Sequence, residues 1–453
     1  MRNLAAVVLA AGKGTRMKSA LPKALHLVAG KAMLQHVVDT LSGLKIKPVH
    51  IVVGHGAQMV EEQIKGDIRW ILQAEQKGTG HALAQVGASL EGFSGDVLVT
   101  CVDTPLFTPA SLQALLDAHA QEGYSATVVT AKVGNPFGYG RIVRNCQGSV
   151  VAIVEEKDAR EEERRIDEVN SGTYCFSWPQ VALALQEIKP SNAQGEYYLT
   201  DIISLLAGRG EPVGTWVLPD PAEMMGVNDR VQLAEAEGYY RARRIRELQL
   251  AGVTIKDPHS VWIEADVLVA QDTVILPNTS LEGSTVIGEN CVIGPQVTIR
   301  DCRVQSGTTI QNSVLLQSEI GSGVNVGPYA YIRPGCKVGD GVKIGDFVEL
   351  KNTHLGSGSK VPHLAYVGDA RVGEDSNIGC GVITANYDGN NKHITQIGSR
   401  VFVGSNVTLV APVHLEDDSF AAAGSTITQD VPAQGLAIAR CRQTVKENWR
   451  KKN

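Results

Sequence analysis

The segment LAAGKGTRMKSALPK, from Leu9 to Lys23, combines residue types that hold phosphate groups. Gly12 and Gly14 allow backbone amides to approach a ligand closely, and Arg16 and Lys23 add positive charge. The segment lacks the G-x-x-x-x-G-K-[ST] pattern of a P-loop and the third glycine of a dinucleotide-binding turn. Taken alone, it indicates a phosphate-binding loop whose chemistry stays open.

Asp103 is a candidate magnesium ligand because it ends the strand-like segment DVLVTCVD. Magnesium prefers oxygen ligands and takes few of them from protein. The same carboxylate could instead cap the turn TPLFTP that follows, and the residue by itself does not decide between the two roles.

His363, in the segment KVPHLAYVGDA, is a candidate general base. Imidazole has an ordinary pKa of about 6.5, which suits proton transfer near neutral pH. A lone histidine is more often structural, so the assignment depends on the whole segment rather than on one residue.

Composition excludes several classes of protein. A chain of 453 residues implies two or three domains, and a net charge of -6 without a basic face argues against a nucleic-acid or membrane-surface binder. The first apolar run is typical of a buried strand rather than a signal peptide, and no stretch is long and apolar enough to span a bilayer. The eight cysteines lack zinc spacing, which predicts reduced, mostly buried thiols in a cytoplasmic protein.

The elements that position the first loop alternate between strand-like and helical segments up to about residue 228. LAAVVLA, PVHIVVG and GDVLVTCVD have the pattern of strands, whereas KAMLQHVVDTL, GHALAQVGASL and SLQALLDAHAQ have that of helices. This alternation predicts a Rossmann-like α/β domain with a mostly parallel sheet and helices on both faces. Ligands of such sheets bind beyond the carboxyl ends of the strands, where the Leu9–Lys23 loop lies.

Residues 229–252 predict one helix. The segment DRVQLAEAEGYYRARRIRELQLAG lacks proline, is rich in helix formers and ends in a glycine that could cap it. We therefore divide the chain into a domain at 1–230, a linker helix at 231–251 and a second domain at 252–453.

The second domain has a six-residue period that predicts a parallel β-solenoid. A helix with a 3.6-residue period cannot keep every sixth residue on one face, and so many glycines would break a long helix here. Three hexads form one coil, with the aliphatic residues inside, and nine or ten coils are expected. The residues in register are Ile287, Ile293, Ile299, Ile320, Val326, Ile332, Val338, Ile344, Leu350, Ile397, Val403, Leu409, Leu415, Ala421 and Ile427.

Two segments interrupt the period and are candidate functional insertions. Residues 352–370 are expected to slip in register around Val361 and Pro362, and residues 384–396 add a polar loop, TANYDGNNKHITQ. Insertions on a regular solenoid tend to carry function.

With both halves considered, the chain resembles, essentially end to end, the bacterial bifunctional N-acetylglucosamine-1-phosphate uridyltransferase/glucosamine-1-phosphate acetyltransferase family. The matching motifs include LAAGKGTRM, QAEQKGTGHA, PFGYGRI, NAQGEYYLTDI, GVNDR, YIRPG, FVELKN, KVPHLAYVGDA, NYDGNNK and VFVGSN. The resemblance implies that the solenoid is a left-handed β-helix, that the protein is a homotrimer and that acetyl sites lie between subunits.

The resemblance also assigns the residues of a uridyltransferase site. Asp103 and Asn228 would hold Mg²⁺, and Arg16 and Lys23 would act on the triphosphate of UTP. One departure concerns Val102, where the family usually has glycine, because a side chain there could crowd the nucleotide. The remaining contacts implied are Leu9, Ala10, Ala11, Gly12, Gln73, Gly78 and Thr79 for the nucleotide and Gly140, Glu155 and Asn170 for the sugar.

For acetyl transfer, the resemblance gives His363 the role of general base. The cations Arg333 and Lys351 are expected on the substrate phosphate, and Tyr366 and Asn377 on the sugar. The family uses backbone at the position of Cys380. The residues implied for acetyl-CoA are Cys380, Asn386, Tyr387, Ser405, Ala423 and Arg440.

The implied function is synthesis of UDP-N-acetylglucosamine, a precursor of peptidoglycan and, in bacteria that make it, of lipid A. Acetyl-CoA would acetylate glucosamine 1-phosphate, and UTP would uridylylate the product. One alternative is a single-activity sugar nucleotidyltransferase with a structural solenoid, against which PHLAYVGDA and NYDGNNK speak. Another is a regulatory subunit with degraded sites, against which the intact Arg16, Lys23, Asp103 and Asn228 speak.

Overall fold

The computed structural model describes residues 3–447 and 449–450. The chain divides into two compact units, Met1–Tyr240 and Arg241–Asn453, so helix α7 contributes residues to both. No helix in the described part of the chain is both long and apolar enough to cross a membrane. The helices are α1 Met33–Gly43, α2 Ala57–Gln63, α3 Thr79–Ala84, α4 Pro109–Glu122, α5 Trp178–Leu185, α6 Asp201–Gly208 and α7 Arg230–Leu250.

The first unit contains a nine-stranded, mostly parallel sheet, as the alternation of elements predicts. Its order is β11-β7-β10-β6-β1-β4-β5, with β8 paired to β10 and β9. The strands of the unit are β1 Leu4–Ala10, β2 Leu27–Val28, β3 Lys31–Ala32, β4 Val49–Val53, β5 Ile68–Leu72, β6 Asp96–Cys101, β7 Ala126–Lys132, β8 Arg141–Arg144, β9 Val150–Val154, β10 Glu168–Ser177 and β11 Val213–Val217.

Two details of this unit differ from the sequence pattern. Strand β10 runs antiparallel to β6, β7 and β8, which brings Asn170 to the edge where the parallel strands end. The helix expected over GHALAQVGASL is only α3, followed by a short 3-10 turn at Gly87–Leu90. Both aliphatic faces of the sheet are buried in separate clusters, which is the core that helices on both sides require.

Helix α7 occupies nearly all of the segment predicted to be helical. It ends at Leu250, and Gly252 follows with a φ of 93°. The amide of Gly252 donates to the carbonyl of Gln249, and that of Val253 donates to Leu248. The glycine thus closes the helix in the left-handed conformation, as its position in the sequence suggests.

The second unit is a prism whose three faces are sheets of parallel strands, consistent with the expected left-handed β-helix. In chain order, β12 to β41 are Thr254–Ile255, Trp262–Ile263, Leu268–Val269, Val274–Ile275, Ser280–Glu282, Val286–Ile287, Val292–Ile293, Thr298–Arg300, Arg303–Val304, Thr309–Ile310, Val314–Leu316, Glu319–Ile320, Asn325–Val326, Tyr331–Ile332, Lys337–Val338, Lys343–Asp346, Glu349–Lys351, His354–Leu355, Lys360–His363, Tyr366–Gly368, Ala370–Val372, Asn377–Ile378, Ile383–Ala385, Thr395–Ile397, Phe402–Val403, Thr408–Val410, Val413–Leu415, Phe420–Ala421, Thr426–Ile427 and Leu436–Ala437.

Successive strands pass from one face to the next. The first face begins at β12 and has eleven strands, the second begins at β13 and has ten, and the third begins at β14 and has nine. Every residue predicted in hexad register lies in one buried cluster. The nine to eleven strands on each face correspond to the nine or ten coils expected. Burying each such Val, Leu or Ile contributes about 1.5–3 kcal/mol, which explains why the period is so regular.

The register break expected at Val361 and Pro362 is wrong in its position. Val361 pairs with Ile344 and Val367 with Leu350, in register with the preceding coil. The shortened sides lie instead between Leu350 and Leu355 and between Val367 and Val372, where buried residues are five apart. A corner can lose one residue without moving the core position on the next face, so the sequence pattern does not show where a coil is shortened.

Candidate functional sites

The Leu9–Lys23 loop forms one wall of a cavity of about 530 Å³ in the first unit. The loop follows β1, at the carboxyl edge of the sheet. Gly14 has a φ of 59°, and a Cβ there would lie 2.7 Å from the Cβ of Lys23, so glycine permits the close approach of the two. Ten of the predicted residues line the cavity, namely Leu9, Ala11, Gly12, Arg16, Lys23, Gln73, Gly78, Thr79, Asp103 and Asn228.

The predicted metal ligands converge on one cation. Lys23 Nζ lies 2.7 Å from a carboxylate oxygen of Asp103 and 2.9 Å from the amide oxygen of Asn228. A guanidinium nitrogen of Arg16 also donates to the Asn228 oxygen, at 2.9 Å. The Lys23 ammonium therefore stands where two oxygen donors already favour positive charge, which is the donor chemistry that Mg²⁺ prefers.

The alternative role of Asp103, as a cap of the next turn, is not observed. Helix α4 is capped by Thr108, whose side-chain oxygen accepts from the amide of Ser111. The Asp103 carboxylate accepts from Lys23, and its backbone carbonyl accepts from the amide of Val227, which holds GVNDR against this strand end. No cluster of three acidic, histidine or cysteine side chains suited to a metal occurs within residues 3–447 and 449–450.

A second wall joins two distant motifs. The amide of Tyr197 donates to the carbonyl of Lys77, and the amide of Leu199 donates to Thr79 Oγ1 at 3.0 Å. Gly78 has a φ of 110°, which residues with a side chain rarely adopt, and a Cβ there would lie 2.5 Å from the carbonyl oxygen of Tyr197. Segments QAEQKGTGHA and NAQGEYYLTDI are thereby fixed to each other beside the cavity.

The predicted sugar contacts form a group beside this cavity. A Cβ on Gly140 would lie 3.5 Å from both Asn170 and Glu155, and the amide of Asn170 donates to the Gly140 carbonyl. Burial raises the pKa of the Glu155 carboxyl, which also accepts from Thr200. Cys101, on the cavity wall, contacts Gly172, which in turn bonds Asn170.

Ala10, a predicted nucleotide contact, and Val102, which could crowd the nucleotide, both pack into the core of the sheet. The side chain of Ala10 packs against the hydrophobic cluster on one face of the sheet, and Ala10 is not among the residues that line the cavity. Val102 does line it, yet the residue is only 6% exposed and packs in the same cluster as Ala24, Leu25 and Phe107.

In the second unit, His363 stands at the corner between the first and second faces. Its Nδ1 is hydrogen-bonded to the carboxylate of Asp346, the residue opposite it on the preceding coil. Sequence reasoning missed Asp346. Because one coil takes 17 or 18 residues, counting one coil back from His363 would have found it.

The predicted acetyl-CoA residues continue this corner. Corner hydrogen bonds run from Gly381 to Leu364, from Asn406 to Cys380 and from Gly424 to Ser405. Coils are spaced by about 4.8 Å, so these bonds stack the residues that precede each corner into a column. That column contains His363, Cys380, Ser405 and Ala423, and Arg440 approaches it at Gly424.

All but one of the predicted phosphate and sugar contacts lie on the second face next to this corner. Arg333 donates to Glu349 at 2.9 Å, and Lys351 Nζ lies 3.4 Å from Asp369. Tyr366 lies flat over Gly368, where a Cβ would overlap its hydroxyl oxygen. Asn377 is separate from this group because its strand, β33, belongs to the first face.

The polar loop at 384–396 supplies a third cation that sequence reasoning did not single out. The backbone of Lys392 bridges that of Tyr387, and contact with Lys351 lowers the pKa of Lys392. Asp388 accepts from the amides of Asn390 and Asn391, and Asn386 donates to Asp369, which together fix the loop.

All eight cysteines are free thiols, as expected. The expectation that they are mostly buried is half right. Cys175, Cys291, Cys302 and Cys336 are buried, whereas Cys101 and Cys380 are partly exposed and Cys146 and Cys441 are exposed.

Comparison with known families matches both units. The MobA-like NTP transferase domain matches residues 6–169. The bacterial transferase hexapeptide (six repeats) matches 266–301 and 317–352, and the hexapeptide repeat of succinyl-transferase matches 394–429.

Curated relatives match over nearly the full length. "Bifunctional protein GlmU" of Shouchella clausii is 50% identical over 448 residues, covering 99% of each chain. That of a Geobacillus species (strain WCH70) is 52% identical over 444 residues, covering 98% of this chain and 97% of the relative. That of Heliobacterium modesticaldum is 51% identical over 449 residues, covering 99% and 98%.

Proposed function

The chain belongs to the family of bifunctional GlmU proteins, and we propose how its residues perform the two reactions. It is a glucosamine-1-phosphate N-acetyltransferase and an N-acetylglucosamine-1-phosphate uridyltransferase. The single-activity alternative is not favoured, because the resemblance covers the acetyltransferase half as fully as the other. We assign uridyl transfer to residues 1–230 and acetyl transfer to residues 252–453, with 231–251 as the linker helix.

Uridyl transfer takes place in the cavity of the first unit. A phosphate oxygen of N-acetylglucosamine 1-phosphate attacks the α-phosphorus of UTP, the new P–O bond forms and the bond to pyrophosphate breaks. Arg16 and Lys23 neutralise the triphosphate, and the amides around Gly12 bind its oxygens. The convergence of Lys23, Asp103 and Asn228 on the cavity wall carries this proposal.

Asp103 and Asn228 would hold Mg²⁺ in this reaction. When bound, a magnesium ion neutralises charge on the phosphates and orients them. Lys23 exchanges its contacts with the two oxygens for contacts with phosphate. Glu155, Asn170 and Gly140 bind the sugar through hydrogen bonds, since they form one group beside the cavity.

Acetyl transfer takes place at the corner that carries His363. The amine of glucosamine 1-phosphate attacks the thioester carbonyl, so a C–N bond forms and the C–S bond breaks. His363 Nε2 accepts the proton of the amine and passes it to the departing thiolate, which leaves as coenzyme A. Cys380, Ser405, Ala423 and Arg440 bind acetyl-CoA. The first three share one column with the base, and Arg440 approaches that column at Gly424, which supports the assignment.

A cluster of cations binds the phosphate of glucosamine 1-phosphate. Arg333, Lys351 and Lys392 form this cluster. The charge of Lys351, and to a smaller extent that of Arg333, lowers the pKa of Lys392. Such mutual repulsion is relieved when an anion binds between them. Tyr366 positions the sugar, and Asn377, which lies on the first face, would reach the sugar from a neighbouring subunit of a trimer. Asn386 and Tyr387 complete the acetyl-CoA site from the polar loop.

We further propose that the protein is a cytoplasmic homotrimer. From β20 onward the outward row of the third face is polar, with Arg303, Glu319 and Lys337 exposed, whereas the first and second faces expose large apolar residues. Exposed apolar patches of this kind are typical of interfaces. They include Val314, Tyr331, Ile383, Phe402 and Phe420, and the ring centroids of the last two are 4.6 Å apart.

One assay with two readouts tests the function. The first measures thiol release from acetyl-CoA with glucosamine 1-phosphate, and the second measures pyrophosphate release from UTP with N-acetylglucosamine 1-phosphate. We expect both products, the second only with Mg²⁺ present. Pyrophosphate without thiol would leave the single-activity alternative.

A further inference from the structure

Asp346 and His363 form a hydrogen-bonded pair at the acetyl-transfer corner. Their side chains are 36% and 55% exposed, so that both face solvent at the point where the substrates meet in the proposed reaction. The carboxylate of Asp346 contacts the proposed base, although the acetyl transfer proposed for this corner assigns no role to Asp346.

The backbone is built to make this contact. Strands β27 and β30, Lys343–Asp346 and Lys360–His363, are four residues long, whereas the other strands of the first face have two. The two additional residues extend the pairing so that Asp346 lies opposite His363. Gly345 permits the approach, because a Cβ there would overlap the carbonyl oxygen of Pro362.

The pair determines which nitrogen of His363 accepts a proton. The hydrogen bond with His363 holds the pKa of Asp346 below its usual range, so the carboxyl group is ionised at neutral pH. An ionised carboxylate only accepts hydrogen bonds, so the proton of the neutral imidazole is on Nδ1. Nε2 then carries the lone pair that a general base needs.

A second histidine–carboxylate pair shows what a structural pair looks like. His393 Nε2 lies 2.7 Å from Asp388, within the polar loop. Asp388 also accepts from two backbone amides of that loop, so its role is to fix the loop. Asp346 is placed differently, since its partner is the residue assigned as the base.

We propose that Asp346 is a positioning residue of the acetyltransferase, which orients His363 and fixes the proton of the imidazole on Nδ1. The carboxylate also stabilises the imidazolium that forms when Nε2 takes the proton of the amine, and it takes no proton itself. The proposal rests on the assignment of His363 as the general base, and it adds a residue to that assignment.

Steady-state kinetics of Asp346→Ala and Asp346→Asn in the full-length protein test the role. We expect Asp346→Ala to lower kcat of acetyl transfer about 10- to 100-fold, as loss of the group that orients a functional histidine does, with unchanged KM values for both substrates. Asp346→Asn retains an acceptor oxygen without the charge, so its kcat should lie between those of Asp346→Ala and the parent. Equal loss in both variants, or a rise in KM with kcat intact, would overturn the proposal.

Combination with His363→Ala separates positioning from a general structural effect. If Asp346 acts through the base, Asp346→Ala causes no further loss in the His363→Ala background. A further loss of the same size would contradict the proposal. If His363→Ala alone retains normal acetyl transfer, the assignment of the base fails instead, which distinguishes the two failures.

Nitrogen NMR of protein labelled with ¹⁵N-histidine reads the tautomer directly. The parent should show His363 protonated on Nδ1, and Asp346→Ala should show a mixture of tautomers. Protonation on Nε2 in the parent would exclude the proposal. Glu319→Ala is a matched control because it removes an exposed carboxylate, paired with Lys337 on the third face, and should change neither kinetics nor tautomer.

Discussion

The two candidate sites differ in how much of each is enclosed by a single chain. In the first unit the residues proposed for uridyl transfer line a cavity of about 530 Å³, and the Lys23 side chain is 12% exposed. At the prism corner the His363 side chain is 55% exposed. An open α/β sheet forms a crevice where its strands end, whereas a prism has flat faces, so enclosure there must come from an inserted loop or another subunit.

The same difference governs how the functional groups are fixed. In the first unit, Lys23, Asp103 and Asn228 come from three distant parts of the chain and restrain one another. In the second, the functional side chains repeat at intervals of about one coil along an already rigid frame. Substitutions should therefore divide cleanly into two classes, each of which affects one reaction.

The largest effect is expected at the metal pair. Asp103→Ala removes the carboxylate proposed to hold the Mg²⁺ ion that would neutralise the phosphates, and we expect uridyl transfer to fall by about 10³-fold or more. Acetyl transfer should match the parent, as measured by thiol release in the same preparation. Equal loss of both activities would mean that the two sites are not separate.

His363→Ala should give the mirror image. Loss of a positioned base costs about 10²–10⁴ in the rate of acetyl transfer, while pyrophosphate release should be unchanged. His354→Ala is a suitable control, because this histidine is exposed on the third face. Near-normal acetyl transfer by His363→Ala would show that His363 is not the general base.

Lys392→Ala tests whether the polar loop completes the open site. Loss of one charge-assisted contact with phosphate should raise KM for glucosamine 1-phosphate about tenfold, with a smaller change in kcat. Lys337→Ala, which removes an exposed cation on the third face, should leave KM unchanged. An unchanged KM in Lys392→Ala would place the loop outside the phosphate site.

Val102→Gly should have the smallest catalytic effect. The side chain is buried with Leu25 and Phe107, so its loss should lower the free energy of unfolding by about 2–3 kcal/mol, measured by denaturant titration. KM for UTP should stay close to that of the parent. A large fall in this KM would show that Val102 crowds the nucleotide.

Local patterns predicted the fold because local packing produces it. Each residue in hexad register is buried, from Ile287 to Ile427, because these aliphatic side chains fill the interior of a narrow prism. The Leu9–Lys23 loop was predictable for a similar reason, since its glycines and cations lie within one short segment. Strand β10 was not, because nothing in its sequence reveals antiparallel pairing.

The missed residues depend on contacts across the fold. Asp346 contacts a residue in the following coil, so no local motif marks it, although the coil length would have located it. Lys392 lies in the quoted loop, but only folding brings it to Lys351. The turn-capping role considered for Asp103 was settled by Lys23 and Asn228, which are distant in sequence.

If two independent sites on one chain act in sequence, two variants that each lack one activity should complement each other when they are mixed. Glucosamine 1-phosphate, acetyl-CoA, UTP and Mg²⁺ are supplied, and UDP-N-acetylglucosamine is measured. Asp103→Ala and His363→Ala should each form almost none alone, whereas the mixture should form it after a lag in which N-acetylglucosamine 1-phosphate accumulates. If the mixture forms no UDP-N-acetylglucosamine although each variant retains its other activity, the two sites do not act independently.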